Sequence, residues 1–175
     1  MGNNSMLKKN GFAFTCLKEN CPNSCCGPFK DRSPDHISVF SMDHDGIPLL
    51  HREAEAITKE RGKRHIVRLN DGGWHIRLRH DRSCPFWVKG LCSINNIKPA
   101  LCIAYPFYLD AFSGLNVHRT CPGLNQGHTD VETTKSMLKA LKELYIELAD
   151  RALAKISNSV KEIDSKCCNR QKKVV

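Results

Sequence analysis

The chain has 175 residues, of which 26% are charged and 41% hydrophobic, and a formal net charge of +9. That size fits one domain, or one domain with an appendage, and the composition excludes a chain that is disordered throughout. No stretch approaches the ~18 consecutive apolar residues of a membrane-spanning helix, so no membrane association is expected.

Residues 1–15 read as a short polar leader that ends on Phe12-Ala-Phe14. Met1–Gly11 lacks the apolar run of a signal peptide, and Met6 stands where a myristoylation motif wants Ser or Thr. A cytoplasmic location is expected, where thiols stay reduced and ten cysteines read as metal or redox sites rather than a disulfide framework. The stretch Cys16-Leu-Lys-Glu-Asn-Cys21-Pro-Asn-Ser-Cys25-Cys26 puts four thiols within eleven residues. Pro22 and Asn23-Ser24 break any helix there, and Gly27-Pro28 closes the loop. Residues 15–48 carry few large aliphatic side chains, so burial alone cannot offset the entropy of ordering them. Thiolate–metal bonds can, since structural zinc contributes roughly 10–16 kcal/mol of apparent binding energy.

His36-Ile-Ser-Val-Phe40 reads as a short strand. Asp45-Gly-Ile-Pro48 reads as the start of a helix with Pro48 in its first turn, running from about Leu49 to Arg61. Leu50, Ala54 and Ile57 share its apolar face, and Gly62 follows its end. Two runs, His65–Asn70 and Trp74–Arg79, flank Asp71-Gly72-Gly73; in the second, Trp74, Ile76 and Leu78 alternate with polar residues. This pattern predicts a β-hairpin whose second strand points at Cys84. From Lys59 to Arg82 eight basic residues stand against Glu60, Asp71 and Asp81, a net of +5. This basic face is a candidate nucleic-acid contact, weighed against a plain solvated face or a charge balance for nearby thiolates.

Lys89-Gly90 predicts a turn between Cys84 and Cys92. Lys98-Pro99 and Tyr105-Pro106 bracket Cys102 and leave room for a helical turn or two. From Thr129 the character changes. Thr129-Asp-Val-Glu132 reads as a capping box, and Leu138, Leu141, Tyr145, Leu148, Ala152, Ile156, Val160 and Ile163 recur at helical steps. The expected role is a helix packed over the metal-bound core, with a self-association seam as the alternative. Ser157-Asn158-Ser159 is expected to break or fray it, and the basic tail 166–175, with Cys167 and Cys168, to be disordered and apart from the main site. The fold class expected is α+β: a small, irregular, metal-stabilised domain with a β-hairpin and short helices, plus a long C-terminal amphipathic helix. The division expected is a metal-binding domain over 1–128, the helix over 129–165 and the tail over 166–175.

The cysteines fall into two sets, Cys16, Cys21, Cys25 and Cys26, spaced C-x4-C-x3-C-C, and Cys84, Cys92, Cys102 and Cys121, spaced C-x7-C-x9-C-x18-C. Structural zinc modules mostly use C-x2-C knuckles, and this chain has none. Three cysteines on one loop at three- and four-residue gaps resemble iron–sulfur binding runs instead. Eight thiols suffice for two four-thiolate sites, or for one cluster plus one zinc, and spacing does not choose between these. His80 and His118 stand four and three residues before Cys84 and Cys121 and are further candidate ligands, although an ordinary surface or core role competes for each.

The first set, followed by Cys84-Pro85-Phe86-Trp87, Gly90-Leu-Cys92-Ser-Ile94, Lys98-Pro99-Ala-Leu-Cys102-Ile-Ala-Tyr105-Pro106-Phe107 and Cys121-Pro-Gly123, resembles the YkgJ-type cysteine-cluster family. That family is also called the CxxCxxCC, or zinc- or iron-chelating, domain family. The resemblance spans roughly residues 12–127, with all eight family cysteines in order beside their proline and aromatic neighbours. The chain departs from the family pattern at Lys98 and Ile103, where the family has arginines. The resemblance implies that the eight cysteines bind metal, and the relation to flagellin lysine N-methylases ranks an iron–sulfur cluster of the 4Fe-4S type ahead of zinc. It implies a redox, maturation or protein- or peptide-modifying role, with an enzyme related to those methylases as one alternative. A structural zinc module that binds nucleic acid or protein is the other. No catalytic residue is identified, although Tyr105 and His118 are candidates to sit near a cluster.

Overall fold

The computed structural model describes residues 7–8, 11–21, 26–27, 46–110, 113–119 and 121–171. The architecture is α+β. Among the described residues, four small antiparallel sheets and three α-helices are arranged around apolar clusters, and the last helix is by far the longest. No described helix is long and apolar enough to cross a membrane. The strand expected at His36–Phe40 lies outside the described residues.

The first sheet joins β1 (Leu7–Lys8), β2 (Gly11–Phe14) and β10 (Leu124–Thr129) in the order β1-β2-β10. Phe12 and Phe14 bury themselves against Phe107, Met137 and Leu141, so the start of the described chain is held by its aromatic residues. The second sheet has the order β3-β5-β4, from β3 (Gly46–Leu49), β4 (Ile66–Arg68) and β5 (Trp74–Arg77). β4 and β5 form the expected hairpin, with Val67 opposite His75 and Arg68 opposite Trp74.

The residues expected to start a helix instead form β3, which pairs antiparallel to β5 with Pro48 opposite His75. Proline lacks a donor for the ladder, but β3 is an edge strand, where one side of the backbone needs no partner. Ile47, Leu49 and Leu50 are buried there, and that burial outweighs the preference of Pro48 for a helix start. The helix, α1 (His51–Arg61), begins two residues later and buries Ala54 and Ile57 as expected.

Glu53 ties α1 to α2 (Ala100–Ala104), which carries Cys102. One carboxylate oxygen accepts the Leu50 N–H at 2.9 Å and the other accepts the Ala100 N–H at 2.7 Å. Burial pushes the Glu53 carboxyl above its usual range, against those two amides and Arg52, which lower it. Glu53→Ala should cost about 1–3 kcal/mol in thermal or denaturant unfolding, because the buried Ala100 N–H loses its acceptor. The pH dependence has a definite sign. A raised carboxyl favours the protonated form in the fold, so its contribution is lost as pH rises from about 4.5 through the raised value. Glu53→Gln should lack that decline, and parallel stability–pH curves for the two proteins would refute it.

β6 (Trp87–Val88) and β7 (Leu91–Cys92) form a hairpin around Lys89-Gly90, both at positive φ, and β8 (Phe107–Asp110) pairs with β9 (Gly114–Val117). The last element, α3, runs unbroken from Val131 to Gln171. Its cap is Asp130 rather than Thr129: the Asp130 carboxylate accepts the Thr133 N–H at 2.8 Å. Thr129 ends β10, and its hydroxyl donates to the Phe14 carbonyl at 2.6 Å, fastening the helix start to β2. The break expected at Ser157-Asn158-Ser159 does not occur, and the helix takes in residues 166–171. Propagating an existing helix costs little per residue, and Ser or Asn at an exposed position gives up only tenths of a kcal/mol.

Met137, Ala140, Leu141, Leu144 and Leu148 bury the inner face of α3. One edge of the helix is pinned every four residues. Glu143 pairs with Arg52, Glu147 accepts the His51 N–H at 3.2 Å, Arg151 lies over Gly73, and Lys155 pairs with Asp71 at 3.0 Å. The Lys155 ammonium and the Gly73 N–H hold the Asp71 carboxyl below its usual range despite its partial burial.

Candidate metal centre

Seven of the eight cysteines lie among the described residues, and Cys25 lies outside them. No disulfide joins any two of the seven. Cys84 and Cys121 are buried, Cys16 is exposed, and Cys21, Cys26, Cys92 and Cys102 are intermediate.

The fold divides them across the two sequence sets. Cys84 is part of the apolar cluster built on Ile47, Leu49, Ile57, Ile76, Phe86 and Ile94, and Cys26, Cys92 and Cys102 pack against that same cluster. Cys121 belongs to the neighbouring cluster with Phe12, Phe14 and Phe107. One thiol of the first set therefore joins three of the second.

Backbone contacts hold this arrangement. The Cys84 N–H donates to the Cys26 carbonyl at 2.8 Å, and Gly27, at φ +96°, passes so close that an added Cβ would stand 2.7 Å from Ser83 Cα. Only glycine combines that backbone conformation with that approach. Cys16 is brought beside the Cys121 turn in the same way. The Thr15 N–H donates to the Gly123 carbonyl at 3.0 Å, and a Cβ on Gly123 would fall 2.2 Å from the Thr15 carbonyl oxygen. The one-turn 3-10 helix Lys18–Asn20, one of two among the described residues, leads to Cys21 and lies against Gly90 in the β6–β7 turn.

Cys84 has the most developed surroundings. Strand β5 leads into the turn Arg79–Ser83, closed by the Arg82 N–H on the Arg79 carbonyl at 2.8 Å. Asp81 accepts both the N–H and the hydroxyl of Ser83, at 2.9 and 2.6 Å, and those bonds hold its carboxyl below the usual range. The chain then turns through Cys84-Pro85-Phe86-Trp87. Cys92 stands opposite Trp87 across the hairpin. Burial pushes the Cys84 thiol up, and nearby Cys92 adds to this; the N–H groups of Phe86 and Trp87 and the charge of Arg79 oppose it. The Trp87 N–H donates to the Cys84 carbonyl at 3.1 Å and closes a tight turn at the thiol.

The Arg79 guanidinium braces this turn. It donates to the Pro85 carbonyl at 2.8 Å, the Trp87 carbonyl at 3.2 Å and the Ser83 hydroxyl at 3.3 Å. In the sequence Arg79 reads as one more residue of the basic face. The structure gives it a specific task, and nothing in its spacing signals that. Other members of that face do stand together: Val67, His75, Arg77, His80 and Arg82 line, with Arg79, a cleft of about 540 Å³. His80 is thus part of a cationic wall. His118 sits between aromatic rings, stacked on Tyr105 at 5.6 Å and against Tyr108 at 4.7 Å, and its carbonyl accepts the Cys121 N–H at 3.0 Å.

Among the described residues, no three His, Cys, Asp or Glu side chains close on one point as metal ligands would. The thiols share a region and an apolar wall rather than a finished coordination shell. No protein-family model, no curated protein and no solved structure matches this chain.

Proposed function

We propose that this chain is a cytoplasmic metal-binding protein in which Cys16, Cys21, Cys25, Cys26, Cys84, Cys92, Cys102 and Cys121 hold an iron–sulfur centre that serves a redox, maturation or protein-modifying role. The observation that carries the proposal is the gathering of Cys26, Cys84, Cys92 and Cys102 on one apolar cluster, with the Cys84 N–H bonded to the Cys26 carbonyl. These residues are 58 or more positions apart at the first step, so no local motif brings them together. The order of the eight cysteines and of their proline and aromatic neighbours, which resembles the YkgJ-type family, supports the same reading. Bound iron would supply electron transfer or a Lewis acid, tuned by the apolar wall around the thiols.

Zinc on the same thiols is the competing reading, and one experiment separates them. Protein purified without oxygen should be brown, absorb near ~400 nm and carry about four irons per chain, as a cubane cluster would. Colourless protein with stoichiometric zinc would replace iron–sulfur by zinc, and protein with neither metal would remove the proposal.

A further inference from the structure

We propose that α3 pairs with α3 of a second copy of this chain, in an antiparallel dimer about a twofold axis near Ala149. The observations lie away from the cysteines and do not depend on the metal reading.

The outer face of α3 carries an apolar track that no described residue covers. Ile146, Leu153, Ile156 and Val160 are 52, 61, 60 and 51% exposed, and with Ala149 they follow steps of three, four, three and four residues. That is a heptad seam, the spacing that keeps an apolar stripe on one face of a helix packed against another helix. Toward the helix N-terminus the track becomes concave. Leu138, Tyr145, Ile146 and Ala149, walled by Leu109 and Leu115, line a groove of about 440 Å³. Toward the C-terminus it is a bare ridge, because the helix leaves the globule after the Lys155–Asp71 pair and residues 156–161 are all exposed. An unsupported helix end of this kind is marginal in water.

The two halves fit each other. With Ala149 on the axis, an antiparallel copy sets its Leu153 opposite Tyr145, its Ile156 opposite Lys142 and its Val160 opposite Leu138. Each ridge fills the other copy's groove, so the contact closes at two subunits. Alanine at the crossing point lets the backbones approach closely, and the Lys142 stem can lie along Ile156 with its charge in water. The track from Leu138 to Val160 is about 33 Å long. Leu115, Ile146, Leu153, Ile156 and Val160 expose about 500 Å² on each copy, and a helix pair that covers about half of it on each side buries about 500 Å² of apolar area. With the polar share of an ordinary interface this makes roughly 850 Å², the low end for a specific pair. The dimer should therefore form in the micromolar range.

Sedimentation of the full chain across about 1–200 µM should follow a monomer–dimer equilibrium. Ile156→Lys, which sets two lysines face to face, should weaken the dimer at least about tenfold. Ile156 lies outside the globule, so the thermal transition of the variant monomer should match that of the parent monomer. Adding Lys142→Glu should restore dimerisation to within about threefold, because only this register places residues 142 and 156 opposite each other. A parent chain that stays monomeric at 200 µM, an Ile156→Lys variant that dimerises like the parent, or a double variant no better than the single one would each overturn the proposal.

Discussion

Cys84→Ser is expected to abolish the proposed metal binding and to lower the stability of the whole domain by more than about 3 kcal/mol. Cys84 is 6% exposed and packs in the cluster that also holds Ile57, Ile76 and Ile94. It is also where the first cysteine segment docks, through its N–H on the Cys26 carbonyl. A metal that binds only the folded chain adds its binding energy to folding, and a structural thiolate site contributes roughly 10–16 kcal/mol, as much as or more than the net stability of an ordinary small domain. Losing one buried ligand forfeits much of that. A serine in an apolar site would also cost about 1–3 kcal/mol without any metal, so the melting temperature of the variant alone is not diagnostic. The diagnostic quantity is the response to a chelator. Metal-stripped parent protein should melt near the Cys84→Ser variant, and stripping should leave the variant unmoved. A variant that keeps full metal stoichiometry would remove Cys84 from the ligand set.

The hairpin at residues 65–79, the Lys89-Gly90 turn, the short helix at Cys102 and the long terminal helix are legible in the sequence because each is a local matter of alternation, turn residues or helical period. Misreadings occur where a distant partner decides. Gly46–Leu49 has the composition of a helix start, but β5 offers it a ladder and the core offers Ile47 and Leu49 burial. Thr129 has the hydroxyl of a cap, but the Phe14 carbonyl takes it. The pairing of Cys26 with Cys84, and of Cys16 with the Cys121 turn, rests on Gly27 and Gly123 admitting a second backbone, which no spacing rule reports. In the sequence the thiols form two sets, whereas in the fold they mix.

Arg79 marks the limit of that reading, and it carries the second large effect. Arg79→Ala is expected to cost about 2–4 kcal/mol and to lower metal retention, since the buried Pro85 carbonyl and the Trp87 carbonyl lose a charged donor together. Those carbonyls flank Phe86 in the turn that starts at Cys84, which the Trp87 N–H closes on the Cys84 carbonyl. Freeing the turn would loosen the position of the Cys84 thiol. Lysine keeps the charge but is a point donor and cannot span two carbonyls and the Ser83 hydroxyl as a planar fork does. Two causes can thus be separated. If Arg79 acts by its charge near the thiol, Arg79→Lys should behave like the parent; if it acts by bracing the turn, Lys should recover less than half of the loss, and we expect the second. Arg77, at the end of β5, is exposed, and Arg77→Ala should stay within about 0.5 kcal/mol of the parent and keep its metal. Metal stoichiometry and melting measured across the three variants decide the matter. An Arg79→Ala protein indistinguishable from Arg77→Ala would show that the brace is dispensable and that the Cys84 turn holds its shape unaided.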